Sequence, residues 1–162
     1  MADPGVRIEH PNRAKAASKL TRAVVVLLLL VSAALVAIVT LGGWDALQGA
    51  KALQIAYIVV YLVIAFFVLR WSRGVLPLAA ALAIILLIFA AVSAPAWFDR
   101  DKPGFADPAI DEGILGLVTA LIVPVQLLLI AFAMSGFAQA WNVEVEHEEP
   151  APERGGPAPA TA

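Results

Sequence analysis

The chemistry this 162-residue chain can offer rests on a few polar side chains set in apolar runs. Gln54, Tyr57 and Tyr61 share one run, Thr119, Pro124 and Gln126 another, and Ser32 and Ser93 lie in two more. Gln54, Tyr57 and Tyr61 follow one another at intervals of three and four, which puts them on one face of a helix. Pro124 has no N–H to give the carbonyl of Ala120, so a helix through it should kink and leave an acceptor for a neighbour to satisfy. Tyr61 lies 11 residues past Ala50 and Gln126 lies 12 past Ile114. At about 1.5 Å per residue both side chains sit roughly 16 to 18 Å below the points where the apolar stretches of their helices begin. A glutamine facing hydrocarbon would leave its amide unsatisfied, and a phenol at the same depth has both a donor and an acceptor. The spacing therefore predicts a Tyr61–Gln126 contact, with Tyr57 as the substitute. Gln54, Tyr57, Tyr61, Thr119, Pro124 and Gln126 are the candidate intramembrane polar cluster. Its expected use is an interhelical hydrogen bond of about 0.6 to 2 kcal/mol rather than a ligand pocket.

Other chemistry is thinly represented. Without cysteine there is no disulfide, thiol nucleophile or thiolate metal site. His10 and His147 lie in polar tails, leaving no imidazole in the apolar runs for haem or proton relay. Asp99, Asp101, Asp107, Asp111 and Glu112 supply oxygen atoms, but they lack EF-hand spacing, a nucleophile or a phosphate-cradling loop. No metal, cofactor or catalytic residue is expected, and the chain reads as a non-enzyme. A formal net charge of −2 and the lack of a basic stripe with interleaved aromatics argue against nucleic acid as a partner.

The elements that must position the polar groups are transmembrane helices. With 61% hydrophobic and 15% charged residues, the composition is that of a membrane protein. A helix needs about 20 apolar residues to cross the hydrocarbon. Four spans qualify, at about 20–41, 50–70, 74–94 and 108–140, with Arg22 and Lys51 close enough to the ends to snorkel. Trp44, Trp71, Trp97 and Trp141 each follow a span, where indoles serve as interfacial anchors. The basic segment and apolar run at the start resemble a signal peptide, but the run continues to Leu41, as in a signal anchor.

Orientation follows from the basic residues. Arg7, Arg13, Lys15, Lys19, Arg22, Arg70 and Arg73 fall on one side, against Lys51, Arg100 and Lys102 on the other. Both termini are thus expected in the cytoplasm. The short turn from Arg70 to Gly74 forces a helical hairpin, and the Gly42–Gly49 connection is also short. The expected fold is an all-α, four-helix up-down bundle with its fourth helix kinked near Pro124. Asp107 before Pro108 has the pattern of an N-cap with proline at the first helical position. Trp97, Phe98 and Phe105 are expected to fold back onto the membrane surface. Small-residue pairs at Ala79 and Ala83, Gly116 and Ala120, and Gly136 and Ala140 permit close helix approach.

Residues 1–19, basic, and 143–162, acidic, are expected to be disordered tails around a transmembrane domain at 20–142. Alanine richness and an excess of arginine over lysine point to a bacterial plasma (inner) membrane. Function is read as that of an accessory or scaffolding subunit or self-associating bundle, with membrane lipid and a partner membrane subunit or second copy as partners. The alternative is a small transporter or channel component binding an apolar or lipid-like solute between the second and fourth spans.

Overall fold

A computed structural model describes residues 6–47, 49–100 and 107–148. Phe105, Asp101, Lys102, the first five residues and the acidic run from Glu149 lie outside the described residues. The chain is mostly helical, as an all-α membrane bundle requires. A strand β1 (Val6–Glu9) and a short helix α1 (Pro11–Ala14) lead into α2 (Ala16–Gly42), α3 (Lys51–Leu69), α4 (Val75–Phe98) and α5 (Glu112–Ala138), and β2 (Val145–Glu148) follows. Helices α2 to α5 are each long and apolar enough to cross a membrane.

These helices owe little to capping. Only α5 begins with a side-chain cap: the Asp111 carboxylate accepts from the Ile114 N–H at 3.2 Å. The helix thus starts at Glu112, not at Pro108 as the Asp-Pro pattern suggested, because Asp111 takes the capping role and Asp107 stays outside it. At the other boundary α4 runs past Ala94, through Pro95, to Phe98. Proline removes one donor near the end of a helix, a loss the last turn tolerates when packing holds it. Trp97 provides that packing, its ring so close to Gly43 that a Cβ there would stand 2.5 Å from it. Phe98 likewise lies across Gly116, at 2.7 Å from where a Cβ would be, and stays half exposed.

Helix α5 packs most extensively on α4 and also on α2, and α2 packs on α3. Of the four neighbouring pairs around the bundle of long helices, α3–α4 has the narrowest contact, although the shortest connection between long helices joins these two. Ala79, Ala83 and Ala133 are fully enclosed, so small residues bring the α4 and α5 backbones together. Gly116 takes the Phe98 ring and Gly136 takes Trp141 and Leu76, so these two glycines receive side chains rather than a facing backbone.

One end of the bundle gathers both tails, the start of α2, the α3–α4 turn and the end of α5. Helix C-termini leave carbonyls that intrahelical bonding cannot satisfy, and cations suit them. Arg22 donates to Leu69 O at 3.1 Å, Arg73 to Phe137 O at 2.7 Å and Arg13 to Trp141 O at 3.0 Å. Helix α3 closes with Trp71 N–H on Val68 O and Ser72 N–H on Phe67 O, a pattern that puts Trp71 in the left-handed region at φ 63. Glycine is usual there, and a Cβ costs about 1–2 kcal/mol. Packing offsets the cost: the Trp71 ring meets Trp141 edge-on at 5.4 Å, and the Arg22 guanidinium stands 4.1 Å above it.

The tails differ from the expected disorder over residues 6–9 and 145–148, which pair antiparallel with Ile8 opposite Glu146 and Glu9 opposite Val145. A lone strand pair is marginal in water. This one springs from adjacent helix ends and is tied down where Asn12 donates to Ala140 O at 3.0 Å, beside the Arg13 bond.

Candidate functional site

Tyr61 and Gln126 meet at their common depth. The Tyr61 hydroxyl donates to Gln126 Oε1 at 2.9 Å, and both side chains are fully buried. Gln126 Nε2 donates to Ser32 Oγ at 2.9 Å, and Ser32 donates to Leu28 O at 2.7 Å. Donors and acceptors run in one direction from α3 through α5 to α2, so the Tyr61 and Ser32 hydroxyl protons and one Gln126 amide proton each have a partner. Ser32, an isolated serine in the sequence, is the third member. Its signal was its depth in the first span, but which face it takes depends on how α2 rotates against α5.

The remaining candidates do not join this chain. Gln54 Oε1 lies 2.6 Å from the Thr40 hydroxyl, which also lies 2.6 Å from Val36 O. A hydroxyl has one proton, so Thr40 donates to one of these acceptors and the Gln54 amide can turn to donate in place of the other. Thr40 went unnoticed in the sequence because it stands near the end of an apolar run. Tyr57 crosses to α4, donating to Leu82 O at 3.4 Å, and meets Tyr61 edge-on at 5.7 Å. Thr119 bonds within α5, to Leu115 O at 2.7 Å. Pro124 lies inside α5, which continues through it.

The four tryptophans fare differently from one another. Trp44 is exposed and holds the Lys51 ammonium 4.5 Å from its ring, as an interfacial anchor would. Trp71 is half-buried, while Trp97 and Trp141 are only 4% and 0% exposed. The last two pack into the ends of the bundle instead of facing headgroups, and the Trp141 N–H is spent on Gln139 Oε1 at 3.0 Å.

Between the polar chain and the end opposite the tails lies a cavity of about 360 Å³. All four long helices contribute to it, with Val36 from α2, Gln54 and Tyr57 from α3, Ala90 and Trp97 from α4, and Ile122 from α5. It coincides with the narrow α3–α4 contact, where the lining residues Leu53, Phe89 and Val92 are exposed, so it opens sideways to the surroundings of the bundle. Its walls are overwhelmingly apolar, and Arg100 is the one charged side chain that the described residues contribute to them. The alternative reading of the sequence put a solute between the second and fourth spans, α3 and α5. At the depth of Tyr61 and Gln126 a hydrogen bond joins these two helices, and nearer the end opposite the tails both line the cavity, α3 with Gln54 and Tyr57 and α5 with Thr119 and Ile122.

Among the described residues no three His, Cys, Asp or Glu side chains gather as a metal site would need. Asp111 is engaged as a helix cap. Compared with family models, curated proteins and solved structures, the chain matches none.

Proposed function

We propose that this protein crosses the plasma membrane as an up-down four-helix bundle with both termini in the cytoplasm, and that it binds an apolar, lipid-like solute in the cavity between α3 and α4. The observation that carries this reading is the cavity itself. At about 360 Å³ it falls within the roughly 300–1,000 Å³ range of small-molecule sites, it is apolar, and it faces the bilayer through its side. Solute arrives from the lipid without crossing the polar chain at Tyr61, Gln126 and Ser32, which serves as structural glue. The role is binding rather than catalysis. Pro124 supports a bend in α5 beside Gln126.

Orientation draws on charge. Arg13, Lys15, Lys19, Arg22, Arg70 and Arg73 all belong to the end that carries the tails, the pattern of a cytoplasmic face. Reporter fusions after Arg73 and at the C-terminus should read cytoplasmic, and one near Pro103 external.

The binding test uses the full chain in lipid nanodiscs and a fluorescent hydrocarbon probe. Saturable binding is expected in the parent protein and should be lost in Ser93→Phe, which fills the mouth of the cavity from an exposed position. Absence of saturable binding, together with a membrane subunit that stays bound through purification, would restore the accessory-subunit reading.

A further inference from the structure

Three cations meet where α2 and α3 leave the apolar layer, at the end of the bundle that carries the tails. Arg22 is half-buried: its guanidinium donates through Nη1 to Leu69 O at 3.1 Å and stands 4.1 Å over the Trp71 ring. Lys19 lies three residues earlier on α2, which puts it on the same side of the helix as Arg22. Arg70 falls between Leu69 and Trp71, the two residues that Arg22 touches, and both Arg70 and Lys19 are exposed. A carbonyl and a ring orient the Arg22 guanidinium without neutralising it. Among the described residues no carboxylate pairs with Lys19, Arg22 or Arg70, and none lies on α2, on α3 or in the 70–74 turn. The described acids of this end, Glu9, Glu144, Glu146 and Glu148, belong to the strand pair or to the residue leading into β2. A half-buried cation is costly to hold without a counter-charge, and here the counter-charge must come from outside the chain.

The surface below these cations indicates its source. Deeper on the same two helices Leu27 and Phe66 are exposed, and the Arg70 guanidinium lies 5.5 Å from the Phe66 ring, so charge and apolar surface adjoin directly. A molecule with an anionic head and hydrocarbon chains matches both parts. We infer that Lys19, Arg22 and Arg70 hold the phosphate of one anionic phospholipid from the leaflet at this end, with its acyl chains lying against α2 and α3. Arg22 spends one of its N–H groups on Leu69 O and keeps the others in the planar fork that suits phosphate oxygens. Lys19 and Arg70, both exposed, add point charges that close on the same head. The half-buried Trp71 ring carries an indole N–H that donates to no group among the described residues, and at headgroup level an ester carbonyl of the lipid is its natural acceptor. A zwitterionic lipid has the phosphate too, but it brings an ammonium toward three cations. The site is separate from the α3–α4 cavity and does not depend on what that cavity binds.

The test embeds the full chain in nanodiscs of phosphatidylglycerol and phosphatidylcholine with identical acyl chains, in equal amounts, and counts the lipids that stay bound on release into a mass spectrometer. The parent chain should retain phosphatidylglycerol at least about tenfold over phosphatidylcholine. Arg22→Gln and Arg70→Gln should each lower that preference about fivefold, and Arg22→Lys should keep part of it. Lys15→Gln is the control, since it removes a charge from the same end but from a side chain bonded to Asn12. It should change the preference by less than about twofold, because diffuse attraction is screened. Equal retention of the two lipids by the parent chain would overturn the site, whether or not any variant folds. An equal loss in Lys15→Gln and Arg70→Gln would also overturn it, leaving only diffuse attraction to an anionic surface. Displacement of phosphatidylglycerol by an equal concentration of glycerol phosphate would make a soluble phosphate the ligand and overturn the lipid.

Discussion

Two seams of the bundle, both lined by α4, are built on opposite principles. Against α5, α4 presents Ala79 and Ala83, fully enclosed, and takes Leu76 up against Gly136. Against α3 it presents Leu86, Phe89 and Ser93, which leave a cavity instead of closing on the partner. In lipid no hydrophobic force drives helices together, so association depends on close contact and interhelical hydrogen bonds. Where small residues permit contact the seam closes. Where Phe89 and Ser93 stay exposed beside a partner held by a five-residue connection, space remains.

The comparison predicts an ordered series of effects on stability. The largest belongs to Trp141, which plugs the closed side beside Gly136 and Trp71: Trp141→Ala should cost about 3–5 kcal/mol in detergent-based unfolding. Trp44→Ala, at an exposed tryptophan, should cost little, and similar losses for both would mean that burial does not govern their roles. Next comes Gly116→Val, whose added carbons meet the Phe98 ring. Overpacking of about 1–3 kcal/mol is expected, and Phe98→Ala in the same chain should relieve it.

The polar chain between the seams is worth less. Tyr61→Phe should cost about 0.6–1.7 kcal/mol, and a double-mutant cycle with Gln126→Leu should give a coupling of the same order. Additive losses would remove the hydrogen bond from the account. The smallest effect is at the open seam, where Ser93→Leu should shift stability by no more than about 0.5 kcal/mol while weakening binding of the hydrocarbon probe. A large loss of stability there would show that the α3–α4 seam is closed by packing after all.

Much of this was legible in the sequence because membrane insertion is a one-dimensional constraint. Length, charge gaps and helical rise suffice to give four apolar helices and the common depth of Tyr61 and Gln126, since a helix in lipid must satisfy its backbone within its own segment. Positions that depend on neighbours were not legible. Asp107-Pro108 and Asp111 are both plausible caps, and only the docking of the 107–111 segment, with Ile110 N–H on Gly42 O at 3.2 Å, decides between them. Tryptophans after each span share one sequence signature, yet Trp97 and Trp141 turn inward because Gly43 and Gly136 have no side chain in the way. The cavity is the extreme case. It is an absence of atoms between α3 and α4, set by how four helices rotate against one another, and no single segment encodes it. The sequence alone determined which segments are helical and how deep their polar groups lie. Tertiary packing decided which faces meet, because small residues allow contact at several helix pairs and only the assembled bundle selects among them.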